Sequence, residues 1–246
     1  DRETRRFDKI RKDPDVPGAI PGGDPRAIAE DDEGNLWIAL KGSGIAKYDR
    51  QADRFRSYKS DPFNTKLSLL DDWPSDILYD PSGYVYVATP VGLSVLNTET
   101  DVFTNYPPNE SDPGSLSIAI CHTLFRDADG MIWVGTGNGL NRFDPDSKTF
   151  KAYSMEQGLP SHQVLCIAQD QQGDIWAGTD SGLARIDVET GSVKSYDYLD
   201  GLMTNAFFRN SVALSPTGEI YFGQTGGLTF FDPAEIHDNL IPPPVF

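Results

Sequence analysis

Three histidines, two cysteines and a surplus of carboxylates are the side chains of this chain that could do chemistry. His122 and His162 fall at the starts of neighbouring repeats and could face one another, but no cysteine or carboxylate joins them at a ligand spacing. A zinc site needs three or four converging donors, so no metal is expected. Cys121 and Cys166 are too few for a disulfide framework. They are expected as buried free thiols on diverging strands, where a bridge would need Cα atoms within about 7 Å. Acidic runs such as Asp71-Asp72 and Asp31-Asp32-Glu33 read as turn chemistry and solvated surface. A glycosidase would need two carboxyl groups roughly 5–9.5 Å apart, which no sequence alone supplies. There is no Ser-His-Asp arrangement and no glycine-rich phosphate loop. Catalytic residues and cofactors are therefore not expected. What remains suits binding: Arg26, Trp73, His122, His162, Asn205, Arg209 and Asn210. A sugar could stack on the indole while the polar groups fix its hydroxyls.

These residues share one place in a unit that is written five times. The first turn glycines are Gly34, Gly83, Gly130, Gly173 and Gly218, and three residues after each stands Trp37, Tyr86, Trp133, Trp176 or Tyr221. Second turn glycines follow at Gly44, Gly92, Gly139, Gly182 and Gly227. A period in the forties with aromatic and glycine marks at fixed offsets reads as a propeller blade of four short strands. The expected fold is all-β, a propeller of four-stranded antiparallel blades with about five blades' worth of strands.

Within each copy the innermost strand carries Ile28, Ile77, Leu124, Ile167 or Val212 six residues before the first glycine. Asp31, Asp80, Asp127 and Asp170 sit three before it, and Ser215 replaces them in the fifth copy. Aspartate first and glycine fourth is type I turn chemistry. The second strand, as in Ile132-Trp133-Val134-Gly135, is apolar enough to be buried on both faces. Fourth strands carry Phe55 and Tyr58, Phe103 and Tyr106, Phe150 and Tyr153, and Val193 and Tyr196. Phe7 and Ile10 match these pairs, so the chain opens on a fourth strand, and the fifth copy has only three. The expected divisions are 1–14 for that opening strand, then blades over 15–62, 63–113, 114–160, 161–203 and 204–233, with 234–246 a linker toward a following domain. Five blades could close as a ring, with the opening strand completing the last blade, or belong to a larger ring.

Length varies chiefly in the blade-to-blade connections, which measure 18, 19, 18, 14 and 16 residues between markers. Variable loops on a rigid scaffold are where recognition is placed. The binding set lies at this side, where each inner strand begins at the mouth of the central channel. Phe207 and Phe208 are there too, and one of them must point inward. Trp73 could equally serve a ligand or cap a layer between blades.

The unit Asp-x-x-Gly-x-x-Trp-x-Gly-Thr-x-x-Gly-Leu-x-x-Phe-Asp, complete over 127–144, resembles the two-component regulator propeller repeat. Gly158-Leu159-Pro160-Ser161-His162 resembles that family's lead-in, and the fifth copy, ending at Phe231-Asp232-Pro233, is similar to its terminal variant. The first copy departs from the pattern with Ala39-Leu40, and the second with Tyr86 and Leu96-Asn97. The resemblance implies the extracytoplasmic, periplasmic sensor of a hybrid histidine kinase or diguanylate cyclase. It also implies an immunoglobulin-like stalk entered near Asn239-x-x-Pro242-Pro243. The implied partners are a small polar ligand or oligosaccharide, and neighbouring propeller units or a dimer mate. A propeller lyase or other glycan-active enzyme and a protein-interaction platform are the alternatives.

The bulk numbers agree. A net charge of −16 argues against nucleic acid and anionic membrane surfaces as partners. No stretch approaches the roughly 18 apolar residues of a membrane helix, and the polar start, Asp1 to Arg6, does not read as a signal peptide.

Overall fold

Each copy of the repeat folds into one antiparallel sheet, because its two glycine turns reverse the chain at fixed intervals. The computed structural model describes residue 10 and residues 16–236. Blade 1 is β1 (Asp24–Glu30), β2 (Leu36–Lys41), β3 (Gly44–Asp49) and β4 (Arg54–Tyr58); blade 2 is β5 (Asp76–Asp80), β6 (Tyr84–Thr89), β7 (Gly92–Asn97) and β8 (Val102–Tyr106). Blade 3 is β9 (Cys121–Arg126), β10 (Ile132–Thr136), β11 (Gly139–Asp144) and β12 (Thr149–Tyr153). Blade 4 is β13 (Val164–Gln169), β14 (Ile175–Thr179), β15 (Leu183–Ile186) and β16 (Val193–Tyr196). Blade 5 is β17 (Phe207–Leu214), β18 (Ile220–Gln224) and β19 (Gly227–Phe231). Strands pair in sequence order within every sheet, as propeller blades do. The chain divides into two compact units, residues 1–153 with blades 1 to 3 and residues 154–246 with blades 4 and 5. In the first unit β1 packs on β5 and β5 on β9, and in the second β13 packs on β17. Within each unit the first strand of a copy is therefore the one that faces its neighbour's first strand, as expected.

The first turn is built on a carboxylate with two tasks. In blade 3 one oxygen of Asp127 accepts from the backbone of Asp129 (3.0 Å) and Met131 (2.9 Å), while the other accepts the Trp133 indole N–H (2.7 Å). Asp170 holds Trp176 in the same way at 2.7 Å, and Asp31 holds Trp37 at 3.1 Å. Each indole is buried and lies against the tyrosine of its own fourth strand: Trp37–Tyr58, Trp133–Tyr153 and Trp176–Tyr196 have centroids 5.7, 5.6 and 5.5 Å apart. Lys47, Arg142 and Arg185 cover the three rings in turn. The three tryptophans thus occupy equivalent slots. Tyr86 has no indole N–H, and Asp80 turns its free oxygen to Arg126 Nε (2.6 Å).

The second hairpin closes through a threonine. The hydroxyls of Thr89, Thr136 and Thr179 donate to the carbonyls of Gly92, Gly139 and Gly182 at 2.7, 2.9 and 2.7 Å. Gly92 sits at φ +143°, and a Cβ there would come within 2.6 Å of the Tyr106 carbonyl oxygen. The incoming connection of a blade is also pinned to that blade's outer edge. Phe55, Phe103 and Phe150 donate their backbone N–H to the carbonyls of Gly18 (2.6 Å), Lys66 (2.8 Å) and Gly114 (2.7 Å). The chain so runs down the outside of the fourth strand before it crosses to start the first.

Two expectations meet a different outcome. Ile77, Leu124 and Ile167 are buried, but Ile28 is 60 % exposed, because β1 packs through the opposite face, with Ala27 and Ala29 against the layer shared with blade 2. β18 alternates between buried and half-buried residues, whereas β10 and β14 are buried throughout. Leu228 on β19 follows suit: it is 50 % exposed, while its equivalents Ile45, Leu93, Leu140 and Leu183 are at most 1 % exposed. Phe7, the proposed opening strand, His237 and the run from Asn239 to Phe246 lie outside the described residues. Ile10 is described and stands beside Val16, Tyr48 and Phe55. Cys121 and Cys166 are buried free thiols.

Candidate functional site

The residues expected at the binding face are set by an irregularity in the first strands. Regular pairing of β1 with β2 breaks between Pro25 and Ala27, leaving Arg26 as the extra residue of a bulge. In β9 the break falls between Cys121 and Thr123, at His122; in β13 it falls at Leu165. In β17 it widens to the four residues Phe208–Ser211, where Asn210 takes φ +53°. Arg26, His122, Leu165 and Asn210 all stand eight residues before the first turn glycine. The same offset in blade 2 is Ser75, whose hydroxyl donates to the carbonyl of Cys121 on the next blade (2.7 Å). A bulge re-aims a side chain out of the sheet's alternation, and here it does so at one register position in blades 1, 3, 4 and 5.

The first unit holds Arg26, Trp73 and His122. Arg26 is exposed at the start of β1. His122 is buried under the hairpin between β10 and β11, where a Cβ on Gly137 would lie 3.8 Å from its Nε2. It is thus a packed residue rather than an open one. Trp73 is 54 % exposed, which removes the layer-capping alternative. Its loop is nonetheless fixed. The Trp73 N–H donates to Asp71 (2.7 Å), the Asp72 carboxylate accepts from Ser60 N–H (2.7 Å), and the Asp72 carbonyl accepts from Gly42 (2.8 Å) and Gly44 (3.1 Å). Lys41 Nζ stands 4.8 Å from the indole centroid. Sequence reasoning missed Lys41, which pairs across β1 and β2 with Asp24.

The second unit holds His162, Asn205, Arg209 and Asn210. His162 is exposed in the connection into β13, and Arg209 and Asn210 are exposed within the irregular stretch of β17. The two phenylalanines divide as expected: Phe207 is buried, with its ring against Gly178 of blade 4, and Phe208 is exposed. Sequence reasoning missed Gln224, the last residue of β18, which is buried although neither of its amide atoms has a hydrogen-bond partner. The Asn205 carbonyl oxygen is also buried and unpaired. No group of three or more His, Cys, Asp or Glu side chains able to hold a metal ion exists among the described residues. A hollow of about 680 Å³ opens away from these residues, beside β19, between Thr217, Glu219, Phe230, Phe231 and Ile236.

Comparison with known proteins places the repeat. Residues 115–138 and 158–181 match the two-component regulator propeller family. The extracellular domain of a hybrid two-component system from B. thetaiotaomicron is 25 % identical with a TM-score of 0.76, over 87 % of this chain and 29 % of its own. The extracellular domain of a second such system from the same organism is 20 % identical with a TM-score of 0.70, over 89 % of this chain and 28 % of its own. Virginiamycin B lyase from Staphylococcus aureus shares the fold at 17 % identity and a TM-score of 0.63, over 85 % of this chain and 69 % of its own. The chain thus spans less than a third of the two-component structures it matches. No curated protein matches it.

Proposed function

Because the chain carries two-component regulator propeller repeats, we propose that it is a non-catalytic sensory module from the extracytoplasmic part of a membrane-anchored signalling protein, and that it binds a small polar ligand of the carbohydrate class. The observation that carries the ligand class is Trp73. An indole that is 54 % exposed yet anchored by its loop is a prepared stacking surface, since an aromatic face presents large apolar area at low entropic cost. Ligand binding then changes how the module packs against neighbouring propeller units or a dimer mate, provided that the ligand has different affinity for the two arrangements. An output domain such as a histidine kinase or a cyclase lies elsewhere in the parent protein.

A thermal-shift series with neutral and acidic mono- and oligosaccharides tests this reading. At least one raises Tm, and Trp73→Ala abolishes the rise while leaving the Tm of the free protein within about 2 °C, as befits an exposed side chain. A hit that is consumed over hours would replace sensing by turnover. A second reading, a protein-interaction platform, is favoured by Phe63, which is 98 % exposed on the connection into blade 2. It predicts a protein partner and no saccharide, with partner capture lost in Phe63→Ser.

A further inference from the structure

Blade 5 breaks a local rule that the other blades keep. Six residues after the first turn glycine, blades 2, 3 and 4 carry Thr89, Thr136 and Thr179, each buried with its hydroxyl bonded to the hairpin carbonyl. Blade 1 has the apolar Leu40 there. In blade 5 the slot holds Gln224, which is 2 % exposed with both Oε1 and Nε2 unpartnered. A buried amide without partners is among the costly features of a folded protein, and an isosteric apolar side chain would remove the cost. Gln224 pairs with Phe207 across β17 and β18, and Thr225 N–H donates to the Ala206 carbonyl (3.0 Å), which carries the ladder one residue further. Alternation then sets Asn205 on the same side as Phe207 and Gln224, and its carbonyl oxygen is the other buried unpaired atom there. The surroundings are apolar: Phe207 and Phe222 pack with Cys166 in the layer between blades 4 and 5.

We propose that the Asn205 and Gln224 amides form a ligand-anchoring pair at the start of β17, taking a neutral group that both donates and accepts, such as adjacent hydroxyls of a saccharide. The proposal rests on the saccharide-sensing reading above and adds to it a site that lies wholly within the second unit. The connection into β17 forms the lid, for Met203 Sδ would lie 2.7 Å from a Cβ on Gly227 at the hairpin that follows Gln224. Entry of the ligand requires that connection to lift.

The test compares wild type with Gln224→Leu in the whole 246-residue chain. The leucine variant is expected to melt higher by about 2–6 °C, because an unsatisfied amide has been replaced by apolar packing. The probes are maltose, cellobiose, xylobiose, mannobiose and galacturonic acid. A probe that stabilises wild type should bind the variant at least about tenfold more weakly. Gln224→Thr, which restores the residue of blades 2 to 4, guards against misfolding and should lose the probe equally. A variant Tm below wild type would show that the amide has a structural partner and would overturn the proposal. A probe that stabilises wild type and both variants alike would overturn it too, while leaving saccharide sensing intact. If no probe shifts wild type, saccharide sensing fails and the anchoring role fails with it.

Discussion

The carboxylate of the first turn ties a reverse turn to a buried indole with two oxygens of one side chain. This economy gives Asp31 its pH behaviour. Burial pushes its carboxyl up, but hydrogen bonds from the Asn35 backbone and side chain, from Lys47 and from the Trp37 indole outweigh that and hold it below the usual value. A carboxyl held low in the folded state stabilises above its unfolded pKa, and that contribution is lost as pH falls through the folded one. Stability should be level from neutrality to about pH 4 and fall below it. Asp31→Asn should lower stability at pH 7 by about 1–3 kcal/mol and flatten the acid limb, as read by urea melts across pH. The cysteines test burial itself. Burial raises the thiols of Cys121 and Cys166 to about 12. A thiol-disulfide probe at pH 8 should therefore react with neither until denaturant is added, and two equivalents reacting in the native protein would contradict the buried layers. The spacing of Asp127 and Trp133, shared by Asp31 with Trp37 and Asp170 with Trp176, was legible in the chain, but their hydrogen bond was not. Turn chemistry accounts for the aspartate alone, and nothing in the order of residues says which way the indole edge points.

At the scale of the element, the glycines divide by what crowds them. A side chain at Gly92 would meet the Tyr106 carbonyl at 2.6 Å as well as a left-handed backbone. Gly92→Ala should cost about 2–4 kcal/mol by denaturant melt, through overpacking and backbone strain together. Gly42, with φ +81° and open space about it, should tolerate alanine better. The strands, their order and their glycine turns were readable because the same offsets recur, so each copy corrects the reading of the others. The bulges were not readable. They alter pairing by one residue, or by three in β17, without altering spacing, and Arg26, Ser75, His122, Leu165 and Asn210 are too unlike to announce a shared position. Trp73 and Gln224 were undecided or missed for one reason: exposure and hydrogen-bond satisfaction depend on what lies across the fold. His122, singled out by residue type, proves buried.

For the whole molecule, charge is the property that no single blade shows. A net charge of −16 repels itself in the folded state, and salt screens that repulsion over about 10 Å at 0.1 M. Raising sodium chloride from low to physiological strength should lift Tm by a few degrees without changing the far-ultraviolet spectrum. A fall in Tm would mean that pairs such as Arg126 with Asp80 outweigh the net repulsion.

The staple between the incoming connection and the fourth strand has a consequence for how such chains grow. Phe55 with Gly18, Phe103 with Lys66 and Phe150 with Gly114 each join two segments of the same copy. Each of these three copies hence arrives with its own hem, and splicing such a copy in or out leaves no frayed border on the copies either side. Gene duplication can lengthen or shorten the array in whole modules, and selection is then free to act on the bulge residues one module at a time.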